Sequence, residues 1–131
     1  MSFKFVTNED FVWFTAATRH RTPPHWLDGE IPAGTEAHPV VFVSAEDADA
    51  YCAWAGRRLP TDEEAAAVDA TRPPFLWEWT STTENASRVV RCGSWTDRTW
   101  NLRASYRVRL DPAYRDVYTG FRCTRKEQAN G

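Results

Sequence analysis

The chain predicts an α+β domain with little regular structure, in which two or three helices come first and a small, mainly antiparallel sheet follows. Three observations carry that expectation. Helix start signals are confined to the first half of the sequence, the hydrophobic period shifts towards two beyond Pro74, and a stretch crowded with proline and glycine separates the first helix from the rest. Helices followed by strands, rather than alternating with them, point away from βαβ repeats.

The first helix is expected over residues 8–18. Thr7 with Asp10 three residues later reads as a capping box, and Phe11, Phe14 and Thr15 recur at the spacing of one helical face. Regular structure then stops, because Pro23, Pro24, Pro32 and Pro39 together with Gly29 and Gly34 forbid a helix; a packed loop held by Trp26 and Ile31 is expected instead. "PVVFVS" is a run of β-formers and predicts a strand ending at Ser44. Ser44 with Asp47 caps a second helix that carries Tyr51, Cys52, Trp54 and Ala55 and stops at Gly56. Thr61 and Glu64 form a third box, opening a short, alanine-rich helix that Arg72-Pro73-Pro74 ends. Beyond it, "FLWEWTST", "RVVRCGSW", "LRASYRVRL" and "TGFRCTR" read as strands separated by "TENAS", "TDRTWN" and "DPAYRDVY".

The bulk composition narrows the function classes. The chain has 131 residues, 42% of them apolar, which suits one domain over residues 1–125 followed by a polar tail over 126–131. A net charge of −2 from 18 acidic and 16 basic side chains implies no field that gathers polyanions, so no nucleic-acid partner is expected. The basic side chains are unevenly placed, however: from Arg88 to Arg125 there are nine arginines against three aspartates. Arginine rather than lysine there suits fixed forks for paired hydrogen bonds, and bracing of loops through carbonyls and carboxylates is the expected use of most of them. No apolar leader and no run of membrane-spanning length is present, so a cytoplasmic protein without a membrane partner is expected. Three cysteines, Cys52, Cys92 and Cys123, are too few and too scattered for a disulfide scaffold or a zinc knuckle. Seven tryptophans are the outlier; each fills core by default, and such rings also line sites for flat or apolar ligand parts.

Read in order, "VTNEDFVWF", "HPVVFVSAEDADAYCAWAGRRLPTDEE", "WEWTS", "VVRCGSW", "LRASYR", "DPAYR" and "GFRCTR" resemble the formylglycine-generating enzyme family, or sulfatase-modifying factor domain. The resemblance covers most of the chain and implies the family's C-type-lectin-like fold. It also implies that Cys52 and Cys123 lie near each other, with a disulfide and a pair of adjacent buried thiols both left open. Departures mark a minimal member. Thr61 and Trp77 are only sixteen positions apart, the strands that precede "VTN" in the family are missing, and Pro74-Phe75 replaces a Gly-Asn.

What the resemblance does not carry over is the oxidase chemistry. The family's enzymes hold copper(I) with two cysteines just after G-S-W, since a soft metal needs soft thiolates. In this chain those positions are Asp97 and Leu102, so no copper cofactor is expected and the chain leans away from being an enzyme. The related sulfoxide synthases bind iron through three histidines of a separate helical domain; His20, His25 and His38 here fall at loose spacings in the irregular segment, and no iron site is expected. Glu78, a calcium ligand in some relatives, has lost its neighbouring asparagine and is expected as a buried carboxylate accepting arginine or backbone hydrogen bonds.

The remaining candidates form a binding surface and no catalytic set. Trp77, Trp79, Trp95 and Trp100 are expected as walls, with Tyr106 beside them; Arg98, Arg103 and Arg107 as fixed donors; Asp97 and Asn101 as acceptors; and Ser94 closes a turn, because no histidine follows His38 to act as its base. Such a mixture suits a peptide, a protein or a small-molecule ligand. Two alternatives stand beside it. One is a metal-dependent oxidoreductase of the formylglycine-generating or sulfoxide-synthase type. The other is a variable ligand-binding protein of a diversity-generating retroelement, whose changeable positions would match Thr96, Asp97, Arg98, Asn101, Tyr106, Val108, Arg109, Leu110, Tyr114, Asp116, Val117 and Tyr118. A core trimmed this far also leaves room for a homo-oligomer in which a twin copy covers apolar area.

Overall fold

Each α-helix opens on the same local device. In the computed structural model of the chain, which describes residues 4–68, 76–92 and 107–125, Thr7, Ser44 and Thr61 all form complete capping boxes. They start α1 (Asn8–Thr18), α2 (Ala45–Trp54) and α3 (Asp62–Ala67). The hydroxyl accepts from the third helical N–H while that residue's carboxylate accepts from the cap's own N–H, so two orphan donors are satisfied at once. Helix α3 is a short one, and the stop expected at Arg72-Pro73-Pro74 lies outside the described residues.

Two sheets follow from the period-two runs. The larger has strand order β4-β3-β2-β5, made of β2 (Trp77–Glu84), β3 (Ser87–Arg91), β4 (Arg107–Leu110) and β5 (Thr119–Gly120). Its pairs are antiparallel except β2 with β5. The smaller is a ribbon of β1 (Arg57–Arg58) against β6 (Thr124–Arg125). The α+β class expected from the sequence is therefore the one found. Strands β2 and β3 turn over Asn85 and Ala86, both at positive φ (52° and 68°), the backbone of a type I′ hairpin.

Two strand expectations need correction. "PVVFVS" is not a strand: Phe42 sits at φ 60°, the Val40 N–H bonds to Val6 O, and the Phe42 N–H bonds to Asp116 O. With its donors sent to different neighbours the segment makes no ladder, and Val40 and Val43 are both buried as core plugs. "TGFRCTR" is split into β5 and β6, because the residues between them turn into the core; Phe121 and Arg122 are fully buried. Gly120 is required there, since a Cβ would come within 2.8 Å of Val40 O.

One apolar cluster runs from Val6 through Phe11, Phe14, Trp26, Val43 and Trp79 to Phe121 and Cys123. The proline-rich segment is indeed packed: Trp26 is buried and Ile31 rests on the cluster. Trp13 and Trp54 stay exposed. No helix among the described residues is long and apolar enough to cross a membrane.

Cys52 on α2 is joined to Cys123 in a disulfide, with Cα atoms 5.8 Å apart and a sequence separation of 71. Of the two arrangements left open by the sequence, the bonded one is present. Closing so long a loop restricts the unfolded chain, so reduction or Cys52→Ser should lower the unfolding free energy by about 2–4 kcal/mol in urea titrations, without loss of the native near-UV spectrum. Conversely, Ala86→Gly removes a Cβ from a left-handed position and should raise stability by about 1 kcal/mol in the same measurement.

Candidate functional site

Strand register brings the two ends that flank residues 93–106 together at one end of the larger sheet. Arg91, the last residue of β3, is the partner of Glu78 on one side and of Arg107 on the other, while Trp77 is the partner of Thr119. The chain thus departs after Cys92 and returns at Arg107 on the neighbouring strand, close to where β2 begins. Ser94, Trp95, Asp97, Arg98, Trp100, Asn101, Arg103 and Tyr106, which the sequence assigns to the site, lie outside the described residues.

The three site residues that are described take different parts. Trp77 is half-buried, its ring centroid 6.0 Å from that of Tyr118, and its backbone N–H bonds to Tyr118 O. Trp79, expected as a wall, is instead fully buried in the core with its Nε1 donating to Val43 O at 3.0 Å. Arg107, expected as a donor to ligand, braces the scaffold: its Nε lies 2.8 Å from Asp62 Oδ2 and its Nη2 donates to Glu84 Oε2 at 2.6 Å. Glu84 first, and Asp62 with it, raise the pKa of that guanidinium against the lowering effect of burial. Tyr114, Val117 and Tyr118, named above only as positions matching variable ones, are exposed on a loop tied down by Asp111 and Asp116, and Tyr118 lies beside Trp77. Their exposure was not legible in the sequence, where "DPAYRDVY" reads simply as a turn.

Asp62 fixes both flanks of the departing segment. It is the first residue of α3; its backbone N–H donates to Thr82 Oγ1 and its Oδ1 accepts from Arg91 Nη1, both at 2.8 Å. Since Oδ2 faces Arg107, one carboxylate holds the ends of β3 and β4. Other arginines of the basic third behave likewise: Arg88 forks onto Asp49, Arg115 reaches Asp47 at 2.8 Å, and Arg122 forks onto Glu78 at 2.9 and 3.0 Å with both side chains fully buried. Glu78 is therefore the arginine-held carboxylate that the sequence led one to expect.

The same geometry bears on metals. Among the described residues no trio of His, Cys, Asp or Glu is grouped to hold an ion. His20 Nε2 is 2.6 Å from Asp47 Oδ1, whereas the half-buried His25 packs on Phe42, and burial lowers its pKa. A copper(I) dithiolate does not fit either: of the chain's three cysteines two are bonded to each other, and Cys92 is buried at the end of β3.

Two carboxylates in this frame are titration-sensitive. Burial pushes the Asp47 carboxyl up, but the Ser44 N–H, His20 and Arg115 together outweigh it and hold it below its ordinary value. Glu64, forked by Arg58 and bonded to the Thr61 N–H, is brought down from 4.5 to about 2. A folded-state pKa below the unfolded one gives stability that is complete above about pH 4.5 and lost as pH falls towards 2. Because the Glu64 side chain is 39% exposed, screening leaves about 1 kcal/mol of that effect. Urea midpoints taken from pH 5 down to pH 2 should fall, and Glu64→Gln should flatten part of the slope.

Comparison with known proteins agrees with the family resemblance. The model of the sulfatase-modifying factor enzyme 1-like domain matches residues 1–72. The formylglycine-generating enzyme of Mycobacterium tuberculosis is 38% identical over 85 residues, covering 63% of this chain and 26% of that protein. That of Streptomyces coelicolor is 44% identical over 52 residues, 40% of this chain and 16% of the relative. The inactive C-alpha-formylglycine-generating enzyme 2 of Mus musculus is 77% identical over 26 residues, 20% of this chain and 8% of the relative. The chain thus spans about a quarter or less of the length of these relatives. With more than half of its residues matched by the family model, the chain belongs to the sulfatase-modifying factor family that includes the formylglycine-generating enzymes.

Proposed function

We propose that this chain is a sulfatase-modifying-factor-like binding domain that holds a peptide, protein or small ligand at the sheet end bounded by Cys92 and Arg107, without copper-dependent oxidase chemistry. The observation that carries the proposal is the thiol count. With Cys52 bonded to Cys123, a single chain retains one thiol, that of Cys92, and linear copper(I) binding needs two. Asp97 and Leu102 at the family's copper positions agree with it. Relatives carrying the names formylglycine-generating enzyme and inactive formylglycine-generating enzyme both exist, so the family scaffold is found under either description.

The binding half of the proposal rests on the frame. Asp62 and Glu84 fix the flank at Arg107, and Trp77 with Tyr118 supplies aromatic surface at the same end. Rigid aromatic groups on a braced support lose little entropy when a partner docks. A peptide, protein or small molecule is favoured over nucleic acid, because Arg88, Arg91, Arg107, Arg115 and Arg122 are all engaged by carboxylates rather than aligned as a basic stripe. A cytoplasmic setting would place the Cys52–Cys123 bond under reducing pressure, so both redox forms belong in any assay.

The test is copper(I) loading of the oxidised and the reduced chain, followed by metal analysis and oxygen uptake with a cysteine-containing peptide. Neither equimolar copper nor oxygen-dependent loss of the peptide thiol is expected; both together would establish the oxidoreductase instead. In parallel, peptides selected on the immobilised chain should lose about fivefold or more in affinity with Arg98→Ala or Trp77→Ala. Arg107→Ala should act mainly through stability, as its donors are committed to Asp62 and Glu84.

A further inference from the structure

We propose that a second site lies on a different part of the molecule: the cleft between the N-terminal segment and the end of α2, which takes a single carboxylate attached to a small apolar body. The cleft holds about 470 Å³, a volume suited to a small ligand. Phe5, the ring of Tyr51 and Cys123 give it apolar lining, and Arg57 and Lys4 give it cations. These walls are fixed from behind. The Arg122 guanidinium lies 4.8 Å from the Phe5 centroid, Tyr51 stacks on Phe11 at 5.9 Å and meets Phe121 edge-on, and Cys123 is tied to Cys52.

The charge pattern selects the ligand. Arg57 and Arg125 are direct partners across the β1–β6 ribbon, so two guanidiniums share one face of an antiparallel pair, an arrangement that destabilises by like-charge repulsion. Among the described residues neither is ion-paired with a carboxylate, whereas Arg58, Arg88, Arg91, Arg107, Arg115 and Arg122 all are. An incoming carboxylate would relieve that repulsion, and an arginine fork accepts its two oxygens side by side. Tyr51 supplies a hydroxyl to the same space. Burial and then Asp10 raise its pKa while Arg57 opposes them, so the phenol stays a donor at neutral pH. Glu9 and Asp10 also line the cleft, the latter already accepting the Thr7 N–H. With Lys4 and Arg57 balanced by these two carboxylates, the lining has no excess positive charge for a doubly charged phosphate, and a monoanion is the matched group.

The carboxylate has two sources, a free small acid or the C-terminus of a peptide, and calorimetry on the full, oxidised chain separates them. The probes are 4-methylbenzoate against 4-methylbenzamide, phenyl phosphate, and the acetylated tripeptide Ala-Leu-Phe with a free or an amidated C-terminus. At least one acid is expected to bind about tenfold or more tightly than its own amide. The acid that does so names the source. Arg57→Ala should abolish that preference, and Tyr51→Phe, which keeps the packed ring, should weaken the acid several-fold. Arg57 is exposed, so its removal spares the core; far-UV circular dichroism and an unfolding midpoint equal to or above that of the parent confirm this. Equal binding of acid and amide in both pairs, no binding of either acid, tighter binding of phenyl phosphate, or unchanged affinity in Arg57→Ala would each overturn the proposal. None of these outcomes depends on copper or on the sheet end near Arg107.

Discussion

The buried pair of Glu78 and Arg122 is the constraint on which the remainder of the fold depends. Both side chains are wholly withdrawn from water, and a charge so placed is tolerated only when its hydrogen-bonding capacity is met by fixed partners. The two parallel bonds from Nε and Nη2 to the two carboxylate oxygens do this, with Phe5 covering the guanidinium and Val68 O receiving a further N–H. Four parts of the chain therefore converge on one spot: the N-terminal segment, the end of α3, strand β2 and the turn between β5 and β6. The disulfide at the adjacent Cys123 then secures α2 to the same point.

Around that pair, the uneven distribution of charge along the sequence resolves into a pattern of contacts. Among the described residues, Arg88, Arg91, Arg107, Arg109, Arg115 and Arg122 of the last third meet carboxylates supplied by earlier parts of the chain, namely Asp47, Asp49, Asp62, Glu78 and Glu84. Basic excess in one region and acidic excess in the other thus meet in space, which leaves no exposed polycationic face among these paired arginines. Partly buried forks of this kind orient as well as attract, because a guanidinium offers its donors in a single plane.

What could be read directly was what is decided locally. Thr7, Ser44 and Thr61 each meet a carboxylate three residues on, and that distance is spanned within one helical turn, so all three helix starts were visible without tertiary information. The strands of the hairpin around Asn85 and Ala86 were visible for the same reason. "PVVFVS" was misread because β-propensity says nothing about Phe42 adopting a left-handed backbone to reach Asp116, a bond across 74 positions that only the folded chain provides. The ribbon of β1 and β6 is two residues wide and joins distant segments, leaving no periodicity to detect. At the site, Trp77 and Trp79 are alike in composition and phase; what separates them is that one ends a strand beside Tyr118 while the other finds Val43 O. The role of Arg107 was hidden because its partners, Asp62 and Glu84, are known only once α3 crosses the sheet.

The position of Asp62 has a consequence for how such a protein can diverge. A single carboxylate clasps the ends of β3 and β4 on either side of residues 93–106, so the two strands are joined at that end by a side chain as well as by their ladder. Replacing Asp62 releases both strand ends at once, and a compensating change at one arginine does not restore the other. Drift at that position is therefore checked from two sides, as a keystone is held by both halves of its arch.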